Sequence, residues 1–235
     1  MKLRHLHRWD VSIAEAREIQ ARLRERLVLT PPAGFAPRRV AGADLSIRWK
    51  SDRGYAGIVT LDADALETVE EATAVVDVSF PYVPGYLSFR ELPPLAAAWE
   101  RLRHRPDAVI FDGHGIAHPR RFGLACHGGL LFDVPAVGCA KSLLVGTHAP
   151  LGKERGATAE IVVDDEVVGM AVRTRDRVKP VYVSPGHRMD LPTAVELVLR
   201  MGAGFREPET TRRSHRLVNR LRREEEAKRQ GRAQA

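Results

Sequence analysis

Val40-Ala41-Gly42-Ala43-Asp44-Leu45-Ser46 is an apolar stretch interrupted by a single anion, and it opens the part of the chain that decides the architecture. Small and β-branched residues over Arg39–Arg48, Gly54–Asp62 and about Leu66–Val78 predict three successive strands. Asp52-Arg53-Gly54 and Asp62-Ala63-Asp64 between them are turn sequences. Connections this short force neighbouring strands to run antiparallel, so the segment reads as a meander.

Working outward, Ser12-Ile13-Ala14-Glu15 is a capping box that opens an amphipathic helix to about Val28. Pro31, Pro32 and Pro37 then break the chain before the meander. Beyond it, a loop over Ser79–Glu91 leads to a helix at Leu92–His104 and a buried strand at Ala108–Phe111 that ends at Asp112-Gly113. A helix, a short strand at Ala136–Cys139, a strand pair near Ala159–Val163 and Val167–Arg173, and a last strand at Pro180–Ser184 follow. Leu191–Met201 and Thr210–Lys228 read as closing helices. No repeat or low-complexity linker divides the 235 residues, so one domain spanning 1–235 is expected. The fold class is α/β: a mixed sheet, an antiparallel meander followed by parallel strands, with helices on both faces. That order is similar to the ribonuclease H fold.

Composition narrows the setting. Hydrophobic residues make up 44% of the chain, enough for a proper core. The N-terminus lacks the apolar run of a signal peptide, and no stretch approaches the length of a membrane span, so a cytoplasmic location with no membrane partner is expected. Cys126 and Cys139 have no metal-type spacing and read as reduced core thiols. The net charge of +7 is unevenly spread: from Arg206 onward ten Lys/Arg face five Glu, leaving only about +2 for the preceding 205 residues. A basic helix of this kind can track a phosphate backbone, although Glu224, Glu225 and Glu226 also suit a solvated, salt-bridged helix.

Two carboxylates sit where packing does not ask for them. Asp112 ends an apolar strand, and the carboxyl ends of strands face the ligand crevice in open α/β sheets. Asp44 lies mid-strand, where an anion must be paired, hydrogen-bonded or on a metal. A solvent-facing Asp44 and a turn-forming Asp112 are the plainer explanations taken singly; together the two favour a hard-cation site. The stretch Phe80-Pro81-Tyr82-Val83-Pro84-Gly85-Tyr86-Leu87-Ser88-Phe89-Arg90-Glu91 is the most informative. Pro81 and Pro84 stiffen a loop around Tyr82 and Val83, Gly85 permits a sharp turn, and Glu91 adds a third carboxylate. Such a loop would suit a wedge between stacked bases; a proline-rich connector is the commoner use of such a sequence.

The segment Pro81–Glu91 resembles the wedge motif of the endonuclease V family. Asp112-Gly113-His114-Gly115-Ile116-Ala117-His118-Pro119, Gly138-Cys139-Ala140-Lys141-Ser142 and Pro180-Val181-Tyr182-Val183-Ser184-Pro185-Gly186-His187 resemble three further motifs of that family, in order and correctly spaced from about Val40 to His215. Glu209-Thr210-Thr211-Arg212 departs from it, since a proline is expected before Thr-Arg.

The resemblance implies a nuclease that nicks at the second phosphodiester 3′ to a deaminated adenine, leaving 3′-hydroxyl and 5′-phosphate. It implies Mg²⁺, with Mn²⁺ able to substitute, held by Asp44, Asp112 and Glu91. His215 stands as a fourth active-site residue. Lys141, a cation at the end of an apolar strand, would meet the phosphate being cut, and His118 the same backbone. Pro81, Tyr82, Val83, Pro84 and Arg90 would contact nucleic acid as the wedge. Gly85, Leu87, Gly113 and Gly123 would line a pocket for the extruded base, reading hypoxanthine through backbone groups. The expected partner is inosine-containing DNA, or RNA, bound by a monomer. A non-catalytic nucleic-acid binder on the same fold is the alternative of another class; a costly anionic cluster beside phosphates argues against it.

Overall fold

The computed structural model describes residues 1–47 and 52–233, with side chains through 229. Helix α1 (Ile13–Arg24) opens on the expected capping box: the Ser12 side chain accepts from the Glu15 N–H while Glu15 reaches back to the Ser12 backbone. The meander follows as β1 (Arg39–Ile47), β2 (Arg53–Asp62) and β3 (Thr68–Asp77), antiparallel throughout. The expected end of β1 at Arg48 lies outside the described residues, as do the last two residues of the basic tail.

Next come α2 (Leu87–Glu100), β4 (Ala108–Phe111), α3 (Leu124–Phe132), β5 (Ala136–Ala140), β6 (Thr158–Val163), β7 (Glu166–Val172), β8 (Val181–Pro185), α4 (Leu191–Arg200) and α5 (Glu209–Ala233). The eight strands form one sheet in the order β3-β2-β1-β4-β5-β8-β7-β6. Only its centre is parallel, β1 with β4 and β4 with β5. Strands β8, β7 and β6 return antiparallel, so the expected parallel half is confined to three strands. The reason is the tight Asp164-Asp165 turn between β6 and β7, both residues at positive φ, which makes a hairpin rather than a crossover.

Alternation along the central strands divides the core in two. Ala41, Val109, Phe111 and Ala136 point to α1, α2 and α3, where Trp99 and Phe132 stack at 4.3 Å. Val40, Ala108, Ile110 and Val137 point to the opposite face, covered by Ala194, Leu197 and Val198 of α4 and by Leu217 of α5. Helices therefore cover both faces.

Helix α2 departs from its expected span, Leu92–His104. It begins five residues earlier, at Leu87, and carries Pro93 and Pro94 inside it. Prolines invite a reading of the helix start at their own position, since only there is a missing N–H harmless. At the other end, the buried Glu70 carboxylate accepts from the N–H groups of Arg103 and His104 and draws them out of the helix. Glu91 consequently sits on a helix rather than at the end of a loop. Among the described residues, no helix is long and apolar enough to cross a membrane. Cys126 and Cys139 are buried free thiols, as expected.

Candidate active site

The parallel pairing of β1 with β4 places the first two carboxylates together. Ala43 is level with Phe111, so one step further Asp44 and Asp112 leave adjacent strands on the same face. Both side chains are largely buried, at 12% and 19% exposure. Burial raises the Asp112 carboxyl above its ordinary range, with Asp44 and Glu207 adding to the shift and Lys141 opposing it. Glu91 is pushed up to about 8, first by burial and then by the charges of Asp44 and Asp112. Burial and like charge thus act together on Glu91 and Asp112 at this end of the sheet.

Each strand-borne carboxylate has a basic partner. Lys141, the residue after β5, donates from Nζ to Asp112 Oδ2 at 2.6 Å, and it stands 3.2 Å from Glu207 Oε2. His215 on α5 meets Asp44 Oδ2 through Nδ1 at 2.9 Å, which raises its pKa. Asn219, one turn on, donates to Nε2 of the same ring at 3.0 Å, which assigns the imidazole proton to Nδ1. The approach of α5 depends on Gly42: a Cβ there would collide with the Thr210 carbonyl. At the start of α5, where the family's expected proline is missing, the Glu209 carboxylate accepts from Arg212 and Arg213 at 2.8–2.9 Å. Among the described residues no three His, Cys, Asp or Glu side chains stand close enough to hold a metal ion as they are. Lys141 and His215 each take one carboxylate oxygen.

Beside the carboxylates opens a cavity of about 250 Å³. Glu91 and Asp112 line one wall; Tyr82, Pro84, Gly85, Leu87, Gly113, His118 and Gly123 contribute the rest that the sequence indicated. Tyr82 is 71% exposed at its mouth. Pro81, Val83 and Arg90 do not line it, and Arg90 instead donates to the Phe80 carbonyl at 2.5 Å, bracing the base of the loop.

One atom holds the loop in place. The Gly85 carbonyl accepts from Gln20 Nε2 (3.0 Å), Arg120 Nη2 (2.5 Å) and His118 Nε2 (3.0 Å). Arg120 also donates to Gln20 Oε1 and lies 4.0 Å over the Tyr86 ring. Gly85 has φ of +80°, a conformation that favours glycine, and a Cβ there would push the Arg120 guanidinium off its carbonyl. His118 is buried, and its Nδ1 accepts from the Arg120 N–H. Burial pushes its pKa down to about 4, which keeps the ring neutral. Both its nitrogens are thus spent on the protein.

Sequence reading missed Gln20, Arg120, Glu207 and Asn219. Gln20, Arg120 and Glu207 act across long separations or stand as one more charge on a charged segment. The only local signal was Asn219, four residues after His215 and therefore on the same helix face.

Acid groups at the carboxyl ends of central parallel strands, beside a concave pocket, define a nuclease of ribonuclease H-like fold. The sequence matches the family model for Endonuclease V over residues 21–216. It is 66% identical over 216 residues to the endonuclease V of Myxococcus xanthus, covering 92% of each chain. The crystal structure of endonuclease V from Streptomyces avermitilis superposes with a TM-score of 0.86 at 44% identity, covering 92% of this chain and 95% of that one. That of Ciona intestinalis endonuclease V, in complex with a 24mer DNA containing an inosine followed by a ribo-adenosine, gives 0.80 at 26% identity, with 90% and 98% covered. The chain belongs to the endonuclease V family.

Proposed function

We propose that the protein is a divalent-metal-dependent endonuclease that extrudes hypoxanthine from inosine-containing strands and hydrolyses the second phosphodiester 3′ to it, leaving 3′-hydroxyl and 5′-phosphate. The observation that carries this reading is the junction of Asp44, Glu91 and Asp112 with a cavity sized for one base, guarded by an exposed, rigid Tyr82 loop. Glu91 and Asp112 form one wall of the pocket while Asp44 lies beyond it beside Asp112, so a strand whose base enters the pocket would lay its neighbouring backbone along the carboxylates.

The donor set suits a hard cation. All three groups are carboxylates, and a cation among them would offset both the burial and the neighbouring charges that hold Glu91 up at about 8. Asp44, Asp112 and Glu91 would hold Mg²⁺, with Mn²⁺ as a substitute. When bound, the ion supplies charge neutralisation at the phosphoryl group and favours an attacking water. His215, its proton on Nδ1, keeps Asp44 turned toward the site. Lys141 presents a point charge to the scissile phosphate. Tyr82 occupies the gap left in the stack, while backbone groups of Gly85, Leu87, Gly113 and Gly123 face the base. His118, buried under the loop, serves the nucleic acid by fixing Gly85.

RNA is the second reading, favoured by one observation: the Ciona protein was captured on a strand whose inosine is followed by a ribonucleotide. The deciding experiment compares single-turnover cleavage of matched inosine DNA, inosine RNA and adenosine controls, with Mg²⁺, with Mn²⁺ and in chelator. Cutting at the second bond 3′ to inosine, only with metal, is expected. Equal cutting of the adenosine strand, or undiminished cutting in chelator, would overturn the proposal.

A further inference from the structure

Between α4 and α5 the dipeptide Arg206-Glu207 reaches back to the end of β5 and grips one residue twice. Arg206 Nη2 donates to the Lys141 carbonyl at 2.5 Å, and its guanidinium also serves the carbonyls of Lys179 and Pro180 at 3.0 and 2.8 Å. Glu207 takes the other end of the same lysine, its Oε2 lying 3.2 Å from Nζ. Neither partner is a freely solvated surface group: the Glu207 side chain is 27% exposed and that of Lys141 35%.

We propose that Glu207 is a positioning residue that holds the Lys141 ammonium at the scissile phosphate while Asp112 serves the metal ion, a role resting on the nuclease reading above. An ammonium has three N–H donors. Asp112 accepts from one at 2.6 Å and Glu207 pairs with the same nitrogen at 3.2 Å, so at least one donor is left for an incoming phosphate oxygen. The arrangement needs both carboxylates. With Asp112 alone, lysine and cation would compete for one group, and the ammonium would lose its anchor whenever the cation prevailed. Glu207 supplies an anchor that lies off the cation's carboxylate set, and Arg206 fixes the backbone from which the lysine springs. A solvent-facing glutamate on a charged loop would make neither contact and would have no reason to follow an arginine bound to the lysine's own carbonyl.

The test is a double-mutant cycle in full-length protein. Glu207→Gln keeps shape and removes charge, and it should slow single-turnover nicking at saturating Mg²⁺ by about tenfold, the loss of one charged hydrogen bond. Strand affinity should stay within about twofold, because the rest of the binding surface is untouched. Glu207→Asp, which keeps the charge, should recover most of the rate. In a Lys141→Ala background the Glu207→Gln change should cost nothing further. A Glu207→Gln rate within twofold of wild type would overturn the proposal, as would an equal slowing in both backgrounds or a loss confined to affinity. The same cycle read in melting temperature reports the Lys141–Glu207 ion pair without substrate, and strict additivity there would also overturn it. Wild-type nicking of the inosine strand is the separate check on the nuclease reading.

Discussion

At the scale of single residues, the site is a balance of like charges. Asp112 is held by Lys141 and Asp44 by His215, but Glu91 has only Arg90 opposing burial and two neighbouring anions. Asp112→Asn removes one charge and keeps the shape, so nicking should be abolished while inosine-strand binding persists, measured by single-turnover cleavage beside equilibrium binding. An active asparagine variant would remove Asp112 from the mechanism. Tyr82 makes a different demand. Its exposed ring would replace the stacking that extrusion removes, worth on the order of 1–3 kcal/mol per base. Tyr82→Ala should therefore weaken binding to paired inosine duplex by about tenfold or more, and much less on single strands, where extrusion is nearly free. Equal impairment on both would reduce the loop to a structural part. The residues at the centre of the site were legible because each breaks a local rule: an anion in an apolar strand, a cation ending one, prolines bracketing an exposed tyrosine. Gln20, Arg120 and Glu207 break none. Gln20 sits on a helix whose own sequence needs only an amphipathic face, and its partner carbonyl is 65 residues away.

Elements carry the next level of the argument. The meander followed from turn chemistry and strand alternation, which are local; the Asp44–Asp112 pairing was suggested by two carboxylates out of place and by family resemblance, and rests on the parallel contact of β1 with β4. The antiparallel return of β8, β7 and β6 was not fully expected, because short apolar strands fit either direction and pairing is settled across the sheet. Helix α2 was displaced for a related reason: two prolines looked like a start, whereas packing of Phe89, Leu92 and Leu95 in the core overrides their cost. Helix α5 runs 25 residues, longer than its packing on the sheet demands. Arg213 and Arg220 tie it to Thr68 and Glu71 on the meander side. Removing residues beyond Arg220 deletes five Lys/Arg and three Glu. Affinity for every sequence should then fall alike, and its salt dependence should become shallower, by about 0.9 in slope for every phosphate that the tail no longer neutralises. A salt series on inosine and adenosine strands measures both; an unchanged slope would show the tail to be no part of the interface.

For the whole molecule, the buried histidines set a common response to acid, which His215, raised by Asp44, opposes. His127 is wholly buried among Phe89, Phe122, Trp9 and His7, with Nδ1 at 3.0 Å from Ser88 Oγ and Nε2 at 2.8 Å from His7. Burial drives its pKa well below 6.5, and burial likewise takes His114, His118 and His187 down to about 4. A histidine whose folded pKa is depressed binds a proton more readily when unfolded, so it leaves stability intact above pH 6.5 and erodes it as pH falls toward the folded value. Glu91, raised to about 8, works in the opposite sense, favouring the folded state as pH drops from 8 toward the usual carboxylate range. One such glutamate does not offset four histidines. At about 1.4 kcal/mol per pKa unit, a fully expressed shift to about 4, as for His114 or His118, is worth on the order of 3 kcal/mol, a large fraction of the stability of a domain. Melting temperature should accordingly rise slightly from pH 8 to 7, where Glu91 alone acts, and fall steeply from 6.5 to 4.5. His127→Asn should melt lower than wild type at pH 8, since it gives up the hydrogen bond with His7, yet show a shallower fall, because one fewer proton is taken up on unfolding. Calorimetry across this range gives both the melting temperature and, from its slope, the proton uptake. A wild-type curve flat down to pH 5, or a His127→Asn slope equal to wild type, would mean that these rings are not held neutral by burial.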